Sequence, residues 1–122
     1  MRGIAVTVIA LMLLSAGPAL AAADLVGTWK IVEKAKTGDI DAVMVITSSA
    51  GALAGTYSAA GQSGAIRDLK IEGNEIHFIR HVGTPNGGEA DMMYGATVDG
   101  DRIDGVVDAG GFGMVPFSGK RQ

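Results

Sequence analysis

After Asp24, the chain is divided into short runs of β-favouring residues, and each run is bounded by Gly, Asn, Asp or Ser. The chain has 19 glycines, and no window after Asp24 shows the apolar spacing of a long amphipathic helix. This pattern of short runs separated by turn residues predicts an all-β fold, because strands are short and turns need residues that tolerate unusual backbone angles. The eight predicted strands span residues 26–33, 42–47, 53–58, 65–71, 75–81, 91–98, 102–107 and 114–121.

Most connections between the predicted strands are short, and those at 72–74 and 99–101 have the Gly and Asn or Asp residues of tight hairpins. Only the segments 34–41 and 82–89 are predicted to be longer loops. Strands joined by short turns pair with their sequence neighbours, which predicts an antiparallel up-and-down meander. Closing eight strands into a barrel removes both exposed sheet edges, so we expect a barrel. A two-sheet sandwich is the main alternative.

Alternation along the runs predicts one face turned into the barrel and one face turned to water. The fourth run breaks this period, because Ile66 is out of step with Leu69 and Ile71, and a β-bulge near Arg67 and Asp68 would restore it. The predicted inner face contains Leu25, Gly27, Trp29, Ile31, Leu53, Gly55, Tyr57, Tyr94, Ala96, Val98, Ile103, Gly105, Val107, Val115, Phe117, Gly119 and Arg121.

Small residues recur on this inner face and have two interpretations. They either let a narrow barrel close over a filled core or leave volume for a ligand. We favour a filled or nearly filled core, because most small barrels pack their interior with side chains.

Residues 1–23 have the layout of a secretory signal peptide: a basic start at Arg2, an apolar run over 4–14, and small residues before cleavage after Ala21 or Ala23. The apolar run is shorter than the roughly 20 residues of a spanning helix, although an uncleaved anchor is the alternative. We therefore expect a single barrel domain over 24–122, located in the periplasm or secreted, with no membrane association after leader cleavage.

From Asp24 onward, nine Lys or Arg stand against thirteen Asp or Glu, a net charge of −4. This modest negative charge argues against a nucleic-acid or anionic-lipid partner, and we expect a monomer. The chain has no cysteine, so neither a lipid-anchored thiol nor a disulfide is available. A domain of about 100 residues can bury a sufficient core without them.

The phrase Gly27-Thr28-Trp29 on the first strand, with Arg121 at the end of the last, resembles the calycin barrels, which include lipocalins, fatty-acid-binding proteins and avidins. The resemblance implies that Trp29 closes one end of the barrel and that Arg121 packs across it, for which a cation–π contact is the physical reason. Gly55-Thr56-Tyr57 is similar to a third-strand phrase of avidins. The chain has one Trp where avidins line their pocket with several, so biotin binding is not expected.

A second resemblance covers nearly all of residues 24–122. The phrases GTW, GALAGTY, IRDLKIEGNEIHF, YGATVDGDRIDGVV and FGMVPFSGKR are similar to a small bacterial β-barrel module of uncharacterised function. That module occurs alone behind signal peptides or is appended to exported hydrolases. The resemblance implies a fold and no reaction.

Candidate metal ligands are few. His77 and His81 are four residues apart, which on a strand separates the side chains by about 13 Å, so we interpret them as surface histidines. Methionine thioethers can bind copper, but methionine is also an adaptable core filler. We interpret four methionines as core filler: Met44, Met92, Met93 and Met114. No metal and no cofactor is expected.

Carboxylates cluster at 99–108 without the spacing of a calcium loop. The sequence contains no nucleophile elbow and no phosphate-binding loop, and we do not expect an enzyme.

The 82–89 loop is the best candidate for a functional rim, because binding loops sit on rigid scaffolds. We expect polar ligand contacts near it from Tyr57, Arg67, Arg80 and Tyr94. The predicted function is non-catalytic binding of a small apolar or amphiphilic ligand at the barrel mouth. The alternative is an interaction, inhibitor or accessory module that acts on an exported enzyme through its loops.

Overall fold

The protein is a closed barrel of eight antiparallel strands, in a computed structural model that describes residues 20–84, 86–110 and 113–122. Each strand pairs with the next and β8 pairs with β1, so the predicted up-and-down barrel is confirmed and the sandwich alternative is wrong. The strands are β1 (Gly27–Ala35), β2 (Gly38–Ser49), β3 (Ala52–Ala59), β4 (Gln62–Glu72), β5 (Glu75–Gly83), β6 (Glu89–Asp99), β7 (Arg102–Asp108) and β8 (Met114–Arg121).

One turn of 3-10 helix, Ala22–Asp24, precedes β1. Most of the predicted signal peptide, residues 1–19, lies outside the described residues. Within the described part of the chain, no helix is long and apolar enough to cross a bilayer.

The barrel interior contains most of the large apolar side chains that the sequence assigned to the inner face, together with Met44, Ile46 and Ile76, which it left unassigned. Every second side chain of a strand points inward, and these side chains interdigitate from all sides of the barrel. The largest fully buried ones are Leu25, Trp29, Ile31, Met44, Ile46, Tyr57, Ile76, Tyr94, Ile103 and Val107.

The predicted bulge in β4 is confirmed. The pairing of β4 with β5 shifts register between Arg67 and Lys70, and Asp68 has a φ of 55°. The extra residue turns Leu69 and Ile71 back to the side of Ile66, and all three pack on the core.

The predicted loop over 34–41 is wrong. β1 continues to Ala35 and β2 begins at Gly38, so only Lys36 and Thr37 form the turn. The charged side chains of this segment lie on the outside of a long hairpin, where Lys34 and Asp39 form an exposed ion pair of 2.9 Å. Ile40 continues the inward-facing set of β2.

One end of the barrel is closed by Trp29, which is fully buried. The guanidinium carbon of Arg121 lies 4.6 Å from the centre of the Trp29 ring, so the predicted pair is in contact. Arg121 also donates hydrogen bonds to the carbonyl of Val26 (2.8 Å) and the carboxylate of Asp101 (2.9 Å). These bonds tie the last strand to the start of the first and to the β6–β7 turn.

Two of the inward-facing glycines allow the strands to approach closely. A Cβ at Gly105 would lie 2.2 Å from the carbonyl oxygen of Gly95, and one at Gly119 would lie 2.6 Å from the carbonyl oxygen of Lys30. Moving these backbone atoms to make room for a side chain would cost considerable free energy. Glycine at these positions therefore allows a narrow barrel to close and does not create space for a ligand.

We expect Gly105→Ala to lower the free energy of unfolding by about 2 kcal/mol or more, because the added methyl overlaps the neighbouring strand. Urea denaturation followed by the fluorescence of Trp29 measures this. Gly64→Ala is the matched control, since a Cβ there meets nothing within 4 Å and should change stability by less than about 0.5 kcal/mol. Equal stabilities for the two variants would contradict the close-approach argument.

Candidate functional site

The end of the barrel opposite Trp29 is open and contains a cavity of about 480 Å³. The connections β1–β2, β3–β4, β5–β6 and β7–β8 surround its opening. Its apolar wall comes from β2, β3, β5 and β6 and from the residue after β7, namely from Ile40, Ala59, Val82, Ala90, Met92 and Ala109. Thr37, Gln62 and Thr84 add polar groups at the rim.

The closed half of the barrel is filled with side chains, as expected, and the cavity occupies the mouth of the open half. The wall of the open half has alanine at Ala59, Ala90 and Ala109, where larger side chains would fill the space. The small residues that leave volume are thus these alanines, and not the closure glycines of β7 and β8.

Two charged side chains form the floor of this cavity. Glu33 on β1 is 5% exposed and Arg80 on β5 is 6% exposed, and both line the cavity. A charged group buried to this degree is costly unless it is hydrogen-bonded. The hydroxyls of Tyr57 and Tyr94 supply the partners.

The directions of these hydrogen bonds follow from the chemistry of the groups. Arg80 can only donate, so its Nη1 donates to the hydroxyl of Tyr94 at 3.3 Å. Since a lone pair of the Tyr94 hydroxyl accepts this bond, its single proton is free to be donated to Oε2 of Glu33 at 3.1 Å. The hydroxyl of Tyr57 donates to the same oxygen. We call these four residues, Glu33, Tyr57, Arg80 and Tyr94, the interior polar cluster.

Aromatic packing holds the tyrosines of the interior polar cluster in place. Tyr94 stacks on Phe78 with ring centres 4.6 Å apart, and Phe117 packs edge-on against Tyr94 at 5.6 Å. The guanidinium carbon of Arg80 lies 4.7 Å from the centre of the Tyr57 ring. The aromatic rings therefore restrict the orientations of Tyr94 and Arg80.

The burial of the tyrosines changes their acidity. Burial, and secondarily the charge of Glu33, raises the pKa of Tyr94 to about 12. Burial also raises the pKa of Tyr57 above its ordinary value, and the hydrogen bond to Glu33 adds to the effect. Both hydroxyls therefore keep their protons, and their role as donors to Glu33, throughout the physiological range of pH.

The structure separates the four residues predicted to contact a ligand. Arg80 lines the cavity, Tyr57 and Tyr94 lie beneath its floor, and Arg67 lies on the outside of the barrel. Their role in ligand binding stays a prediction. Sequence reasoning missed Glu33, although its position continues the inward-facing series of Trp29 and Ile31 and so signals a carboxylate inside the barrel.

Arg67 belongs to an ionic cluster on the outer surface. It donates to Asp91 at 2.9 Å, and His81 contacts the same carboxylate at 2.7 Å and Glu89 at 3.2 Å. The hydrogen bonds with Asp91 and Glu89 raise the pKa of His81, and the bond with His81 lowers the pKa of Asp91. All of these side chains are about half exposed or more, so the cluster contributes little to stability.

The metal candidates are dispersed. His77 and His81 lie on the outer face of β5, and the described residues contain no group of three or more His, Asp or Glu side chains placed to hold a metal ion. The interpretation of the methionines as core filler holds for Met44 and is wrong for Met93 and Met114, which are 56% and 64% exposed. Met92 packs against the core and also lines the cavity.

A second cavity, of about 440 Å³, lies at the closed end of the barrel. Leu20 and Asp24 form part of its wall, together with Asn74, Asp99 and Arg121. Leu20 falls within the predicted signal peptide, so cleavage would remove part of this wall. The cavity at the open end is built entirely from the barrel domain and is the candidate site.

We expect neither tyrosine to ionise below about pH 11 in the folded protein, since burial raises both pKa values. An unfolded chain ionises tyrosine near pH 10. The raised values therefore contribute stability that is complete below about pH 10 and is lost as the pH rises through 10 to 12 and beyond. The chain has only two tyrosines, so the ultraviolet absorbance of tyrosinate reports on this pair alone.

The same titration in urea is the control and should give a midpoint near pH 10. A native titration with its midpoint at that value would show that the hydroxyls are exposed to water, and would contradict the interior polar cluster.

Comparison with known proteins is consistent with this architecture. No family model and no curated protein matches the chain. Among solved structures, the chain is similar to a redesigned beta barrel, with a TM-score of 0.58 and 14% sequence identity, over 84% of this chain and 95% of that one. A likeness at this identity concerns the backbone, so it supports the antiparallel eight-stranded barrel fold and leaves the site to be argued from its own residues.

Proposed function

We propose that the protein is an exported barrel of the calycin kind that binds a small amphiphilic molecule in the cavity at its open end. The leader-like residues 1–23 support export, and the Gly27-Thr28-Trp29 phrase supports the calycin relationship. The binding role is supported by the contrast between an apolar wall and a charged floor in one cavity.

The single observation that carries the proposal is the unused hydrogen-bonding capacity of the floor. Among the described residues, Oε1 of Glu33 and the Nε and Nη2 atoms of Arg80 have no hydrogen-bond partner. No side-chain nitrogen or oxygen that is shielded from water lacks a partner in the described structure. These atoms must therefore be accessible, and the cavity is the space that reaches them.

The dimensions of the cavity suit a small ligand. Its volume of about 480 Å³ falls in the range of roughly 300–1,000 Å³ that is typical of small-molecule sites. The wall is apolar and the polar groups converge at one point, which is the usual arrangement for orienting a ligand. An amphiphile would place its apolar part along Ile40, Val82 and Met92 and its polar part on Glu33 and Arg80.

The hydrogen bonding of the interior polar cluster supports a binding role. Tyr57 and Tyr94 hold their protons tightly, and no Ser, Thr or His side chain of the described residues is bonded to Glu33 or Arg80. The cluster orients and recognises polar groups, and we propose a binding protein rather than an enzyme.

We expect the full-length domain to bind the neutral fluorescent amphiphile N-phenyl-1-naphthylamine, because its aromatic rings match the apolar wall. Ala90→Phe should weaken this binding by about tenfold or more, since the larger side chain occupies the cavity. Fluorescence titration measures both affinities. Native mass spectrometry of the protein from periplasm would report any co-purifying molecule.

Ala65→Phe is the matched control, because Ala65 lies on the exposed face of β4, outside the cavity. It should leave probe binding unchanged. Absence of probe binding to the wild-type protein, or equal binding by the two variants, would overturn the proposal that the cavity is a binding site.

A further inference from the structure

The floor of the cavity contains one group that can only accept hydrogen bonds and one that can only donate them. The carboxylate of Glu33 uses Oε2 for both tyrosine hydroxyls and leaves Oε1 unpaired among the described residues. The guanidinium of Arg80 uses Nη1 and leaves Nε and Nη2. A ligand that covers the floor removes water from an acceptor and from donors at the same time.

Covering these atoms without replacing their hydrogen bonds is costly. An unsatisfied buried polar group costs about 1–3 kcal/mol, and a charged one costs more. A hydrocarbon end would leave both groups unpaired, and a head group that only accepts or only donates would leave one of them unpaired. The best head group offers a donor to Glu33 and an acceptor to Arg80.

The charges of the floor restrict the head group further. Glu33 and Arg80 are the only charged residues among the described residues that line the cavity, and their charges cancel. They do not neutralise each other through a direct ion pair, because the hydroxyl of Tyr94 lies between them. An anion on Arg80 would therefore meet the carboxylate of Glu33, and a cation on Glu33 would meet the guanidinium of Arg80, with little water to screen either repulsion.

We propose that the cavity selects amphiphiles with a neutral amide head group over those with a carboxylate or an amine; this inference rests on the proposed binding function. The amide N–H donates to Oε1 of Glu33, and the amide carbonyl accepts from the free N–H groups of Arg80. The acyl chain extends toward the opening along the apolar wall. The ligand class is thus acyl amides, in which one small group carries the donor and the acceptor together.

The test compares three eight-carbon probes that differ in the head group, octanamide, octanoate and octylamine, in displacing N-phenyl-1-naphthylamine at neutral pH. The wild-type protein should bind octanamide about tenfold more tightly than octanoate, since the carboxylate probe has no donor for Glu33 and carries a like charge. Octylamine should also bind about tenfold more weakly than octanamide because of Arg80.

Glu33→Gln should reverse this preference. The variant keeps an acceptor for the two tyrosines and presents an N–H to the ligand. Octanoate therefore gains about tenfold in affinity, and octanamide loses the acceptor for its N–H. Glu89→Gln is the matched control: it removes the same charge on the outer surface, where Glu89 faces His81, and should leave both affinities unchanged. Tryptophan fluorescence and thermal unfolding verify that each variant is folded.

The comparison of octanamide with octanoate on the wild-type protein tests the head-group inference even if Glu33→Gln does not fold. Octanoate binding as tightly as octanamide would overturn the head-group inference and leave the binding cavity intact. Failure of the naphthylamine probe itself to bind would overturn the proposed function and the inference with it.

Discussion

The structure depends on the burial of a carboxylate and a guanidinium inside a small barrel. Glu33 and Arg80 can be there only because Tyr57 and Tyr94 bond to them in a fixed direction, from Arg80 through Tyr94 to Glu33. Removing one of these hydrogen-bond partners leaves a buried polar group unsatisfied, which costs about 1–3 kcal/mol, and more for a charged group. The interior polar cluster therefore constrains which strands must meet, and divides the barrel into a filled half and an open half.

The cluster also requires the barrel to be closed. Its members come from β1, β3, β5 and β6, and Tyr94 and Glu33 are 61 residues apart in the chain. An open meander would place β1 far from β6, since only sequence neighbours pair in it. Closure of β8 onto β1, helped by the close approach at Gly105 and Gly119, brings these strands around one interior.

The two ends of the barrel follow from different side chains on the same inner faces. At the closed end, Trp29 fills the interior and Arg121 packs over it. At the open end, alanines line the wall and leave the charged floor accessible. A site that is polar at its base and apolar along its wall orients a ligand, because the polar groups can be satisfied in only one direction.

The sequence by itself determined the strand number, the order of pairing, the inward-facing residues of five strands and the bulge at Asp68, because alternation and turn residues are local signals. Its prediction of a loop over 34–41 was wrong, since β1 and β2 continue through most of that segment as a long hairpin with Lys34 and Asp39 on its outer face. Its periodicity placed Glu33 on the inner face, but could not show that two tyrosines and an arginine would surround it. That arrangement, and the cavity above it, was decided by the tertiary structure, since closure brings together residues from four strands whose contacts no local pattern encodes.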